Sequence, residues 1–178
     1  LPFGLLDDSL FGFPTDAQGI VNENKVDSWF GSVDIFDQIS ATGTATATWT
    51  FDISGFSNLS IAMDMAAMGD FEAADSYVFT VSIDGSSPVA VFTLVANEDG
   101  AQDYTLAGGI TFNLNDPMVV NGTTTLTNIF QTLTAAIPGT GNTLTLTLTG
   151  TADGADEAFA FDNIMIMGDS GTLTPCQK

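Results

Sequence analysis

Between Ala41 and Phe51 the chain alternates with a period of two. Thr42, Thr44, Thr46, Thr48 and Thr50 share one side, and Ala45, Ala47, Trp49 and Phe51 share the other. The same period returns in Leu59, Ile61, Met63 and Met65, in Tyr77, Phe79, Val81 and Ile83, and in Leu144, Leu146 and Leu148 set among threonines. Phe159, Phe161, Ile164 and Ile166 close the series, with an irregularity at Asp162-Asn163. Alternation of this kind predicts half-buried strands, and the β-branched and aromatic content supplies the matching propensity. Reversal signals separate the runs: Ser54-Gly55, Asp84-Gly85, Asp99-Gly100, Asn121-Gly122, Pro138-Gly139 and Asp153-Gly154. Asp84-Gly85 between two apolar runs predicts a hairpin. The pattern predicts about eight to ten strands and one short helical turn over Ala66–Ala74. The expected fold is one all-β domain, an antiparallel β-sandwich or jelly roll, over residues 41–168.

Residues 1–40 lack clean alternation, and residues 169–178 read as a C-terminal tail. The segment Leu1-Pro2-Phe3-Gly4-Leu5-Leu6 is apolar. It reads either as an edge strand of its own domain or as a strand lent to a neighbouring subunit, with Leu1, Phe3, Leu5 and Leu6 as the assembly residues. The threonine rows at 42–50 and 143–149 would form a hydroxyl array suited to ice or mineral if they were neighbours. A solvent-facing threonine face is the plainer alternative.

Charge changes the picture most. Twenty-two acidic residues stand against two basic ones, Lys25 and Lys178, with no histidine, for a formal net charge of −20. Nucleic acid and anionic membrane surfaces are excluded as partners, because both are bound through Lys and Arg. A hydrophobic content of 44% with fourteen Phe separates the chain from disordered acidic tails. No apolar run of about 18 residues is present to span a bilayer. Cys176 is the single cysteine, so no internal disulfide is expected. Leu at position 1 and the lack of a basic-then-apolar leader read as a secretory signal already removed, and an extracellular or cell-surface location is expected.

The acids gather in predicted loops. Asp70, Glu72 and Asp75 precede the Tyr77 strand, and Asp153, Asp156 and Glu157 precede the last one. Further groups are Asp34 with Asp37, Asp7 with Asp8, and Glu98, Asp99 with Asp103. Calcium takes six to eight oxygens at irregular angles, which carboxylates from adjoining loops can supply. No segment fits the helix–loop–helix calcium pattern, so a site would be assembled from distant loops. Asp162 lies inside an apolar run, where a charge is costly unless paired or metal-bound, and basic partners are nearly absent. The expected Ca2+ ligands are Asp162, Asp70, Glu72, Asp75, Asp153, Asp156 and Glu157.

Phe161-Asp162-Asn163-Ile164, following Asp153-Gly154-Ala155-Asp156-Glu157, resembles the closing strand of extracellular calcium-binding jelly-roll modules, similar to carbohydrate-binding accessory domains. Asp52–Ser60 and Tyr77–Gly85 fit the same pattern, so the resemblance covers roughly residues 41–168. It implies a structural calcium held in part by Asp162, and polysaccharide as a partner. The chain departs from those modules in lacking an obvious aromatic sugar platform.

Catalysis is not expected. Without histidine there is no Ser–His–Asp or Cys–His unit and no imidazole base. The expected role is a non-catalytic, secreted, calcium-binding structural or surface subunit that self-assembles with copies of itself through strand addition. A carbohydrate-binding module or adhesin domain is the alternative.

Overall fold

The computed structural model describes residues 4–6, 29–33, 43–106, 109–152, 154 and 157–170. Leu1, Phe3, Asp153 and Asp156 lie outside the described residues, as do Lys25, Cys176, Asp7, Asp8, Asp34 and Asp37.

Thirteen strands and no helix are found among the described residues. A five-stranded sheet has the order β1 (Gly4–Leu6), β2 (Trp29–Val33), β13 (Ala158–Ser170), β4 (Phe56–Met68), β11 (Gln131–Ala136). A six-stranded sheet has the order β10 (Thr124–Thr125), β9 (Met118–Val120), β6 (Val89–Ala96), β5 (Ser76–Ile83), β12 (Thr143–Thr151), β3 (Thr44–Asp52). Every pairing is antiparallel. The sheets pack face to face as an all-β sandwich, and the alternating residues named above form its core. Ile61, Met63 and Met65 of β4 meet Tyr77, Phe79 and Val81 of β5 and Leu144, Leu146 and Leu148 of β12. Phe159 and Phe161 of β13 lie among them. Phe159 sits 4.3 Å from the ring of Tyr77, and Phe161 is 5.4 Å from Phe79, centroid to centroid.

A two-stranded ribbon, β7 (Ala101–Thr105) and β8 (Thr111–Asn115), forms a separate layer. Its Tyr104, Leu106 and Leu114 cover a second cluster on the outer face of the five-stranded sheet, with Trp29, Met68, Phe130 and Ala160. The ribbon, β9 and β11 raise the strand number above the eight to ten expected. They are short, and most of their exposed positions are polar, so each gives only a weak periodic signal.

The turns follow local chemistry. Asp84 and Gly85 both have positive φ (49° and 77°), and the Ser86 N–H donates to the Ile83 carbonyl at 2.9 Å. Two central residues with φ > 0 make the turn type that matches strand twist, as expected for β5–β6. The irregularity at Asp162-Asn163 is a shift in register between Asp162 and Met165, with Asn163 at φ 51°. The helical turn expected over Ala66–Ala74 is not formed. β4 continues through Ala66 to Met68, because both faces of its end are buried, and only a single reversal closed by Asp75 N–H to the Glu72 carbonyl at 2.8 Å follows.

Gly4–Leu6 lies beside β2 of the same chain, paired at Gly31, Phe30 and Trp29. The sheet therefore takes strands from within residues 1–40, and β13 runs to Ser170. The threonine rows are neighbours: Thr44, Thr46, Thr48 and Thr50 stand opposite Thr151, Thr149, Thr147 and Thr145. Cross-strand Thr pairs stabilise a solvated sheet face by a few tenths of a kcal/mol, roughly 0.2–1 each.

Candidate functional site: a buried carboxylate cluster

β4 belongs to one sheet and β5 to the other, so residues 69–75 cross between them. That crossing carries Glu72 and Asp75. On the five-stranded side, Glu157 stands immediately before β13. Carboxylate oxygens of Glu72, Asp75 and Glu157 lie within 4.8 Å of one another. Two of these acids are out of solvent: Asp75 is 1% exposed and Glu157 0%. Glu72 is exposed and closes the cluster from outside.

Local hydrogen bonds hold the acids in place. Asp75 Oδ2 accepts from the Glu72 N–H at 2.8 Å, and Glu157 Oε2 accepts from the Gly154 N–H at 3.0 Å. A larger residue at Gly154 would displace the Glu157 carboxyl group. A Cβ there would lie 2.5 Å from Glu157 Oε1 and 2.5 Å from its Cδ. Beneath the cluster the Tyr77 and Ser32 hydroxyls hydrogen-bond at 2.9 Å, joining the six-stranded sheet to β2. Burial pushes the Tyr77 phenol well above its ordinary value, and the carboxylates of Glu157 and Asp75 add to this.

The electrostatics are those of a site short of positive charge. Burial, the hydrogen bond with Glu72 and the charge of Asp75 push the Glu157 carboxyl up to about 9, against a smaller opposing pull from the Gly154 N–H. Glu72 is shifted down, first by its hydrogen bond with Glu157. No N–H or O–H of the described residues donates to the buried Glu157 Oε1.

This donor set fits a calcium ion. It is all oxygen, with no nitrogen or sulfur. Ca–O distances of about 2.3–2.6 Å place two ligands on opposite sides of one ion about 5 Å apart, which the spread of the cluster matches. Three carboxylates can supply up to about six oxygens if each is bidentate. A cation here would face the Oε1 that no described donor reaches.

Two consequences can be measured at this site. In EDTA, the stability of the protein should fall as pH rises. Glu157 is raised in the folded state, so its favourable contribution is complete below the unfolded value of about 4.5 and is lost as pH rises through about 9. Melting curves from pH 5 to 9 test this, and a rising or flat trend would contradict it. Gly154→Ala should weaken calcium binding about 10- to 100-fold, the usual effect of disturbing the support of a metal ligand, with little change in the fold. Calorimetric titration gives the ratio.

Of the seven acids expected to bind metal, the structure brings together Glu72, Asp75 and Glu157. Asp70 is exposed at the end of β4 and outside that group. Asp162 is five residues along an extended strand from Glu157, roughly 16 Å away. It stands opposite Asp64 across β4 and is half-buried. Its alternation follows Ala158 and Ala160, whose side of the sheet carries the outer cluster, so it does not enter the inter-sheet core. Asp64 is satisfied by the Thr132 hydroxyl and by Asn163 Nδ2, the latter at 2.9 Å. Glu98 and Asp99 line an open polar hollow with Asp116, and Asp103 accepts from Asn113 Nδ2 at 2.7 Å on the ribbon. Sequence reasoning did not single out Ser32, Tyr77 as a polar residue, or Gly154 as a neighbour of the Glu157 carboxyl group. Only a Gly three residues before Glu157 hinted at the last.

A second feature lies on the opposite flank of β13. Among the described residues β2 pairs with β13 at Ala158–Phe161, and β4 pairs with it as far as Ser170. Beyond Phe161 two hollows open between the sheets. One, of about 350 Å³, is lined by Phe30, Trp49, Phe51, Phe161 and Ile164, with Asp162 and Asn163 at its polar part. The other, of about 290 Å³, shares Phe51 and Ile164 and adds Phe56, Leu59 and Ile166.

No protein-family model matches the chain, and no curated protein sequence matches it. Among solved structures it is similar to one described as "Family 16 Carbohydrate Binding Module-2", at a TM-score of 0.40 and 8% sequence identity, over 83% of this chain and 82% of that one. At that level the likeness is one of general β-sandwich shape, and no residue role is carried over from it.

Proposed function

We propose that this protein is a non-catalytic, extracellular β-sandwich that binds calcium at Glu72, Asp75 and Glu157 and serves as a building block, associating with copies of itself by strand addition. The observation that carries the calcium reading is Glu157. It is a fully buried carboxyl group with no donor at Oε1 among the described residues, facing two other carboxylates in a chain of net charge −20. Calcium bound there would tie the start of β13 to the start of β5 and so pin one sheet to the other. Its role is structural. The chain has no histidine to act as base or nucleophile partner, and the cluster sits where the crossing of residues 69–75 meets the start of β13. An extracellular setting suits a site of this kind, since modules there bind calcium at about 10⁻⁴–10⁻³ M. Elemental analysis of protein purified without chelator tests the reading. About one calcium per chain, absent in a Glu157→Gln, Asp75→Asn double variant, is expected, and no bound calcium would overturn it.

A second reading, carbohydrate binding, is favoured by one observation. The hollow at Phe30, Trp49 and Phe51 presents aromatic faces suited to stacking against a sugar ring. A glycan array probed with and without calcium decides it, and no binding in either state ends it.

A further inference from the structure

We infer that the outer face of the six-stranded sheet docks against the same face of a second copy of this chain, as a two-fold symmetric pair. The inference goes beyond strand addition, because a contact through a sheet face uses side chains and no backbone edge.

The first observation is the distribution of charge. The residues that alternate with the buried Leu144, Leu146 and Leu148 point outward, and so do their partners on β3 and β5. On β3 and β12 the outward residues are threonine throughout, apart from Asp52 at one corner. On β5 they are Ser76, Val78, Thr80 and Ser82, and Thr93 and Val95 continue the series on β6. In a chain with twenty-two acidic residues, this whole face carries one acid among the described residues. The outer face of the other sheet differs. Asp64 and Asp162 stand side by side there, and the ribbon above it carries Asp103.

Charge also chooses the occupant. Two chains of net charge −20 repel across any acidic surface. Brought together through the threonine face, each keeps the acids of its far face about two layer spacings, roughly 20 Å, from its partner. That exceeds twice the screening length of about 8 Å at physiological salt. Burying the face costs little else. Thr and Val are short and stiff at χ1, so little side-chain entropy is lost. Hydroxyls already pair across the strands, Thr44 with Thr151 and Thr48 with Thr147, each at 3.5 Å. Val95, 42% exposed, adds apolar area.

Area and shape agree with this partner. Four strands of eight or nine residues, with β9 and β10 beside them, present a footprint of roughly 600 Å². Two such faces bury roughly 1,200 Å², the lower end of specific interfaces. A sheet turns by about 20–25° from strand to strand, so this face does not lie flat on a lattice such as ice or mineral. A second sheet of the same twist matches it, with strand directions about 30° apart.

The test uses full-length protein in calcium. Sedimentation velocity should show a monomer–dimer equilibrium that strengthens with added salt, as repulsion is screened. Thr147→Asp, on the face, and Thr48→Asp beside it should each weaken the dimer at least tenfold. Thr134→Asp, exposed on the outer face of the other sheet, should leave it unchanged. All three are checked for the native β-sheet circular dichroism spectrum. Thiol labelling gives the second measurement, on Thr147→Cys combined with Cys176→Ser. Labelling should be fast in dilute protein and at least tenfold slower where the dimer forms. Labelling blocked at every dilution would show that another part of the same chain covers the face, and would overturn the inference. Slower labelling of dilute protein on adding xylan or hydroxyethyl cellulose, without a dimer, would give the face to a glycan instead. A dimer that survives both acidic substitutions would also refute it. Protein lacking residues 1–6 should still dimerise. If that deletion abolishes association and the face variants do not, strand addition stands and this face falls. A native protein that stays monomeric at all concentrations would sink both.

Discussion

Saturating calcium is expected to raise the melting temperature of the native protein by roughly 5–16 °C over the same protein in EDTA. Ligand at 100 to 1,000 times its dissociation constant adds about 2.7–4.1 kcal/mol to stability. For a chain of this size each kcal/mol moves the midpoint by about 2–4 °C. The physical source is the cluster itself, in which two carboxylates are buried and a third faces them. Glu157→Gln sharpens the test. The amide keeps the shape of the side chain but cannot serve as an anionic ligand, so most of the calcium-dependent shift should disappear. In EDTA the same variant should be at least as stable as the native protein near pH 7, because native Glu157, pushed up to about 9, is itself held neutral there. A variant that loses stability equally with and without calcium would mean that Glu157 matters for packing alone. Identical melting of the native protein in EDTA and in calcium would remove the metal from the account.

The second large effect should come from Phe159→Ala. Phe159 is 1% exposed, lies 4.3 Å from the Tyr77 ring, and is 5.8 Å and 6.3 Å from those of Phe161 and Phe79. Removing a buried aromatic side chain costs about 3–5 kcal/mol, since the neighbours relax only partly into the cavity. That predicts a melting temperature lower by roughly 6–20 °C. The change should also weaken calcium binding, which a simple core cavity elsewhere would not do. Phe159 is two residues from Glu157, and its partner Tyr77 is two residues from Asp75, so this contact fixes the relative position of the two strand starts beside the carboxylate cluster. Thermal melting and calcium titration of the variant check both parts. Full calcium affinity in a strongly destabilised variant would show that the cluster is set by its own loops.

Much of the fold could be read from alternation, because a strand's two faces are recorded at every second residue. Leu144, Leu146 and Leu148 are each buried, and the threonines between them are only partly so or exposed. The reversal at Asp84-Gly85 is equally local, as only two residues need φ > 0. The helical turn expected at Ala66–Ala74 shows the limit. Small apolar residues buried on both faces of a strand end carry no period of two, and only the layer formed by Trp29, Phe130 and the ribbon explains why Ala66 and Met68 are buried. Asp162 shows it again. An acid inside an apolar run looks costly until the outer face of the sheet is known to be the side on which it stands.

The acids themselves were visible as clusters before and after the predicted strands, and Glu72, Asp75 and Glu157 were among them. Their convergence was not visible. It depends on the crossing of residues 69–75 from one sheet to the other, on the register that sets Ala158 beside Met68, and on the Tyr77–Phe159 contact that aligns the layers. By itself the sequence determined that the chain is an anionic β protein with a real core, because composition and short-range periodicity are local and each residue reports its own face. Which carboxylates meet and which of them are buried were decided by the tertiary structure, because each depends on distances between residues far apart in the chain that only packing and register set.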